Sequence, residues 1–183
     1  MATQFPRLAK SHTAFIEAQK VFFVSTAGPE GRVNLSPKGM DSLRVIDPNR
    51  IHWLNLTGSG NETAGHLLQN PRMTLMWCAF DDPALILRVY GTARAIHRND
   101  PEWSEASVPF ADAPENRQIF DLQVEMVQTS CGDAVPFMEY RGDRDALRHW
   151  ADDKGPDGLR DWWVDRNAAT IDGAPTGIEK GNL

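Results

Sequence analysis

Short runs of β-branched and aromatic residues, each cut off by glycine, proline, asparagine or aspartate, dominate the first two thirds of this 183-residue chain. Val21-Phe22-Phe23-Val24-Ser25-Thr26 is too short for a helix and too apolar for a loop, so it reads as a buried strand. Ala27-Gly28-Pro29-Glu30-Gly31 is turn chemistry, and Arg32 to Ser36 then alternates polar with apolar residues, as a strand with one wet face does. Leu43 to Ile46 and Ile51 to Thr57 repeat the hairpin around Asp47-Pro48-Asn49-Arg50. Arg72 to Phe80 and Leu85 to His97 are two longer strands flanking Asp81-Asp82-Pro83, and Leu122 to Ser130 supplies another. Strands that follow one another through tight turns pair antiparallel, which predicts a mainly β core.

Helical spacing occurs only in between. Ser11 to Lys20 forms a short helix before the first of these strands. Asn61 to Asn70 places Ala64, Leu67 and Leu68 on one face until Pro71 stops it, and a polar stretch around Trp103 and Glu105 is helical too. Asp143 to Asp153 and Leu159 to Arg166 read as two helices split by Lys154-Gly155-Pro156, with a loop from Gly173 onward. A chain of this length buries one core, so we expect a single domain over residues 1–183. Its barrel core spans about residues 21–137, and a helical and loop extension spans about residues 141–183.

Charge and cysteine usage narrow the function classes. A net charge of −6 offers no broad positive field for a phosphodiester backbone, so nucleic acid is not an expected partner. Cys78 and Cys131 lie far apart outside any C-x-x-C pattern, which argues for a reducing, cytoplasmic compartment. The opening residues Met1 to Ser11 lack an apolar h-region, and Val21 to Val24 is far too short to span a bilayer, so no membrane association is expected. The five histidines, at positions 12, 52, 66, 97 and 149, show no paired spacing, and no metal site is expected.

The segment richest in chemistry is Thr57-Gly58-Ser59-Gly60-Asn61-Glu62-Thr63, where a strand end feeds small and hydroxyl residues into a helix N-terminus. Free amides and the helix dipole at such a place bind an anion. The same residues also read as a capping box, with Ser59 and Glu62 satisfying each other's backbone amides and no ligand required. Both readings stand equally on the sequence, and the Glu62 carboxylate favours phosphate only if it points away. Ser36-Pro37-Lys38-Gly39-Met40 reads as a plain turn with one solvated lysine. Ile51, Trp53, Asn55 and Thr57 share one strand face, while His52, Leu54 and Leu56 share the other. Trp53 on that first face is explained by core packing as well as by ligand contact. Arg88 and Arg94 fall on the exposed face of their strand, and Cys131 reads as a small buried residue after the last core strand.

Four segments together carry a family resemblance: Asn34-Leu35-Ser36-Pro37-Lys38-Gly39, Leu56 to Thr63, Asn70-Pro71-Arg72-Met73-Thr74-Leu75-Met76, and Leu87-Arg88-Val89-Tyr90-Gly91. In this order they resemble the FMN-binding branch of the pyridoxamine 5′-phosphate oxidase-like split β-barrels, from about Val21 to Ile96, with weaker resemblance from Gln128 to Pro136 and from Asn167 to Pro175. The resemblance implies a six-stranded antiparallel split barrel with peripheral helices. It also implies a homodimer with FMN held in a groove at the dimer interface. Carried over by position, Ser36, Lys38, Gly39 and Met40 run beside the isoalloxazine and ribityl chain, and Asn55, Leu56 and Thr57 follow the flavin toward its tail. Ser59, Asn61 and Thr63 meet the phosphate, with Arg44, Arg72 and Arg88 as supplementary cations. Where the vitamin-salvage oxidases carry Ser-Arg-Lys, this chain has Asn61-Glu62-Thr63, and their C-terminal signature for substrate phosphate is missing. Pyridoxamine 5′-phosphate is therefore not the expected substrate.

The function this implies is that of an FMN-dependent oxidoreductase whose substrate and electron donor the residues do not name. No catalytic acid or base stands out; Lys38 is placed to stabilise negative charge on a reduced flavin. The alternatives are a flavin-binding module that stores, carries or senses FMN without turnover, or a split barrel that hosts haem or a deazaflavin. A flavodoxin-like carrier fits less well, because its phosphate loop follows the first strand of a βαβ unit where this chain has a hairpin turn. Six tryptophans, including Trp162-Trp163, suit either an interface or a cover over the barrel.

Overall fold

A computed structural model describes residues 2–110, 113–179, 181 and 183. The elements run β1 (Thr3–Phe5), α1 (Lys10–Ala18), β2 (Phe22–Thr26), β3 (Asn34–Lys38), β4 (Leu43–Asp47), β5 (Arg50–Leu56), α2 (Glu62–Gln69), β6 (Arg72–Cys78), β7 (Leu85–Ile96), α3 (Trp103–Ala106), β8 (Asn116–Cys131) and α4 (Ala146–Arg166). The strands form one antiparallel sheet in the order β3-β2-β6-β7-β8-β5-β4, with β1 added to β8. The end strands β3 and β4 do not pair with each other, so the barrel is split. This is the mainly β, antiparallel split-barrel class expected, with eight strands paired in place of six.

β8 holds the sheet together. Its 16 residues pair with β7 through Leu85↔Cys131 to Ile96↔Ile119, and with β5 through Arg50↔Gln123 to Leu56↔Asn116. Its start at Asn116 is a correction to the expected strand from Leu122. Asn116, Arg117 and Gln118 are polar yet buried, so hydropathy alone could not mark them as strand. The bidentate pair of Arg50 with Asp121, at 2.8 and 3.0 Å, ties β5 to β8 on the outer face.

Alternation along the strands places Val24, Trp53, Leu75, Trp77, Leu87, Val89, Phe120 and Leu122 inside the barrel. Trp53 lies 4.7 Å from Phe120 and 6.2 Å from Phe22 between ring centroids, and Phe22 stacks on Trp77 at 5.8 Å. Leu54, Ile96 and Ile119 point outward under α3 and Phe110, giving a second, smaller core. α4 leaves helical geometry at Gly155, at φ 65°, beside Pro156, where the sequence predicts a break between two helices. It packs through Ala151, Leu159 and Trp163.

Two local expectations are corrected. β3 continues through Ser36, Pro37 and Lys38, where the sequence reads as a turn; proline is tolerated because β3 is an edge strand. The turn comes later, at Met40 and Asp41, whose φ values of 59° and 53° are left-handed. Arg44 holds it by pairing with both Asp41 oxygens at 2.8 Å, offsetting a cost on the order of 1 kcal/mol per residue. The alternation of β3 is also inverted: Asn34, Ser36 and Lys38 are half-buried, whereas Val33 and Leu35 are 71% and 66% exposed.

At the β7–β8 bulge, a Cβ on Gly91 would overlap the Gln123 carbonyl oxygen. Gly91→Ala is expected to destabilise the protein by about 2–3 kcal/mol, through strand separation or local distortion. Chemical denaturation of the two proteins measures this, and an unchanged midpoint would contradict the packing described.

Candidate functional site

Three polar residues of β3, two of β5, the glycine loop and the first turn of α2 converge on one open cleft of about 280 Å³. β3 points Asn34, Ser36 and Lys38 inward by its period of two; β5 contributes Trp53 and Asn55; Gly58 to Thr63 close the end, and Arg117 of β8 forms the back wall. Asn55 Nδ2 donates to Asn61 Oδ1 at 3.1 Å and to Gln118 Oε1 at 3.2 Å, fixing the amide of Asn61. Asn34 Nδ2 donates to Thr63 Oγ1 at 3.2 Å, joining the strand to the helix.

Of the three charged residues that line this cleft, Lys38 and Arg117 are cations and Glu62 is an anion. Arg117 is 2% exposed, and burial pushes its guanidinium down to about 9. Lys38 is pushed down to about 8, first by burial and then by the Arg117 charge. Among the described residues neither cation forms an ion pair with a carboxylate. Lys38 Nζ instead sits 5.2 Å from the centroid of the Trp53 ring. Two buried donors in the cleft lining, Asn61 Nδ2 and Arg117 Nε, have no hydrogen-bond partner among the described residues. Unmet donors and unpaired cations at a helix N-terminus make a site for an anion with several acceptor oxygens.

The capping-box reading of this loop is not what the structure contains. Asn61, not Ser59, is the N-cap of α2 and makes no side-chain cap bond. The Glu62 carboxylate turns to the C-terminal segment, where both oxygens accept from the Ile171 amide at 3.1 Å. The Gly58 carbonyl accepts from Trp162 Nε1 and Asn167 Nδ2, each at 3.2 Å, and the Gly60 carbonyl accepts from both Arg117 Nη atoms at 3.3 Å. Because C=O and N–H are antiparallel in a trans peptide, these bonds turn the Ser59 and Asn61 amides toward the opposite side.

Of the residues that the sequence marks as candidates, Ser36, Lys38, Asn55, Ser59, Asn61 and Thr63 line this cleft together. Thr57 lies behind it, donating to the Glu115 carbonyl at 2.9 Å and accepting from Trp163 Nε1 at 2.8 Å. Met40, Leu56 and Arg44 line a separate small cavity by Phe110, and Gly39 lies near the Lys20 carbonyl. Arg72 is exposed beside Asn70, and Arg88 donates to Ser130 Oγ at 3.3 Å; neither borders the cleft of this chain. Cys131, expected to be buried, is instead exposed, because it is the final residue of β8. Arg117, Asn34 and Trp53 line the cleft without being among those candidates. Trp53 reads equally well as core, and Asn34 opens the motif that runs to Gly39. Arg117 carries no signal, since its strand is not recognisable from hydropathy.

Comparison with known proteins places this cleft in context. The sequence model of the family described as Pyridoxamine 5′-phosphate oxidase matches residues 8–131. A pyridoxamine 5′-phosphate oxidase family protein of Aspergillus flavus is 37% identical over 126 residues, covering 66% of this chain and 51% of that protein. The chain thus spans about half the length of this relative. Among solved structures, a HupZ variant from Group A Streptococcus superposes with a TM-score of 0.54 at 16% identity, over 67% of this chain and 98% of that one. A protein of Lactobacillus delbrueckii, described as a candidate pyridoxamine 5′-phosphate oxidase, gives 0.54 at 19% identity, over 67% and 94%. At such identities the likeness concerns the fold alone. No helix of the described residues is long and apolar enough to cross a membrane.

Lys38 gives a pH signature. Its folded value of about 8 lies below the ordinary 10.5, so unfolding takes up a proton between these values and stability rises with pH across that window. Below pH 8 the penalty is fully present. Lys38→Met is expected to raise the thermal midpoint at pH 7 by about 2–4 °C and to flatten the rise between pH 8 and 9, below the range in which the lowered Arg117 value adds a rise of its own. Paired melting curves from pH 7 to 10.5 measure both, and parallel profiles would contradict a buried, unpaired ammonium.

Proposed function

The chain belongs to the pyridoxamine 5′-phosphate oxidase family, and from that premise we propose that it is an FMN-binding flavoprotein, a cytoplasmic oxidoreductase whose cleft beside α2 takes the cofactor's phosphate end. The observation that carries this reading is the pair of cations, Lys38 and Arg117, beside two buried unpaired donors, Asn61 Nδ2 and Arg117 Nε. A phosphate monoester supplies both the charge and the acceptor oxygens this arrangement needs. Ser59, Asn61 and Thr63 with Lys38 and Arg117 would hold the phosphate. Ser36 and Asn55 would follow the ribityl chain, and Gly39, Met40, Leu56 and Thr57 border the path the flavin takes in this reading.

Bound FMN supplies hydride and single-electron transfer. The chain's own part is to bind and tune it. An anion beside Lys38 restores the proton affinity that burial removed, holding the ammonium charged at neutral pH. Trp53 keeps water from the inner wall of the cleft, being 2% exposed. Glu62 is engaged by Ile171, so among the described lining residues no free carboxylate or histidine is available as a proton carrier. That scarcity favours, as a second reading, a module that carries FMN without turnover.

In the same reading the protein is a homodimer with its flavin sites at the interface, residues 1–183 acting as one domain. The inverted alternation of β3 supports this, because a second copy would cover Val33 and Leu35. Arg72 and Arg88 are then cations available from the partner side.

Purified protein is expected to show a flavin absorption spectrum, directly or after adding FMN, and to release FMN on denaturation as identified by mass spectrometry. Lys38→Met is expected to weaken FMN binding about tenfold, on the scale of one charge-assisted hydrogen bond. A protein that stays colourless with FMN at micromolar concentration would overturn the cofactor reading.

A further inference from the structure

The anion cleft is gripped from behind by a part of the chain that the family match at residues 8–131 does not include. Asn167 caps the end of α4 and is fully buried. Its Nδ2 donates to the Gly58 carbonyl at 3.2 Å, its Oδ1 accepts from Arg117 Nη1, and its backbone carbonyl accepts from Thr176 Oγ1. Arg117 in turn holds the Gly60 carbonyl. One side chain therefore restrains the glycine loop twice, directly at Gly58 and through Arg117 at Gly60.

The rest of residues 167–176 grips the other walls. The Ile171 amide takes the Glu62 carboxylate, and Asp172 pairs with Arg32 at the β2–β3 turn. A Cβ on Gly65 of α2 would overlap the Thr170 methyl and come within 3.2 Å of the Pro175 carbonyl, so helix and segment meet with no room for a side chain. Loop, guanidinium, helix and strand turn are thus held by the same short segment.

We propose that residues 167–176 form a clamp that sets the affinity and phosphate selectivity of the cleft, with Asn167 as its positioning residue. Asn167 draws the Gly58 and Gly60 carbonyls away from the anion, leaves the following amides facing it, and keeps Arg117 in the wall. The clamp also holds the Glu62 carboxylate on the Ile171 amide, where it is kept from swinging toward a phosphate. Anion binding and clamp docking then reinforce each other by linkage. The proposal rests on the reading that this cleft binds the phosphate of FMN.

FMN and riboflavin, which differ only in the phosphate, are the probes. Asn167→Ala is expected to lower FMN affinity at least tenfold while changing riboflavin affinity less than threefold, and in the ligand-free protein to speed amide exchange at residues 58–63. A general loosening of the fold would instead weaken both flavins together, and that result overturns the positioning role. FMN affinity equal to the wild type overturns the clamp while leaving the cofactor reading intact. If wild-type protein binds neither flavin, the cofactor reading falls and takes the selectivity claim with it. Should Asn167→Ala fail to fold, Trp162→Phe removes a single bond to the Gly58 carbonyl and is expected to reduce FMN affinity two- to fivefold with the same selectivity; no change in that variant overturns the clamp.

Discussion

A guanidinium almost wholly buried without a carboxylate beside it is the constraint around which this molecule is arranged. Removing such a charge from water costs several kcal/mol unless its hydrogen bonds are met. Arg117 meets most of that demand with neutral oxygens, from Gly60 and Asn167, and leaves its Nε unpaired. Neutral acceptors satisfy donors but not charge. The demand for an anion is therefore built into the fold, and the glycine loop and the C-terminal segment are joined through the bonds that keep this one side chain in position.

The core and the cleft are not separate constructions. Trp53 packs on Phe120 and Phe22 inside the barrel, while its ring also lies beneath the Lys38 ammonium. β5 thus presents one face to both, and the next residue, Leu54, turns outward to the smaller core under Phe110. The split between β3 and β4 leaves the inward face of β3 available to line a site. A closed barrel would have filled that face with apolar side chains.

Much of this organisation is legible in the residues. Hairpin turns at Gly28-Pro29 and Asp47-Pro48, the short helix stopped by Pro71, and the break at Gly155-Pro156 are strong local signals that tertiary packing does not override. Ser59, Asn61 and Thr63 are marked by the family resemblance, since the glycine loop by itself reads equally well as a capping box. The illegible parts depend on burial from a distance. Asn116 to Gln118 look like loop because their burial comes from segments remote in sequence, and Pro37 looks like a turn because nothing local marks β3 as an edge. The partner of Glu62 lies over a hundred residues away at Ile171, beyond any capping rule.

Synthesis makes the walls of the cleft in a fixed order. Strands β2 to β5, the glycine loop and α2 emerge first, Arg117 follows with β8, and Asn167 to Thr176 come after every strand has been made. Before those residues are made, Arg117 has the Gly60 carbonyl but not the Asn167 amide oxygen to accept from it. Until Asn167 has been made, the Gly58 carbonyl lacks one of its donors and Arg117 lacks one of its acceptors, so the binding loop is completed later than the sheet that carries it.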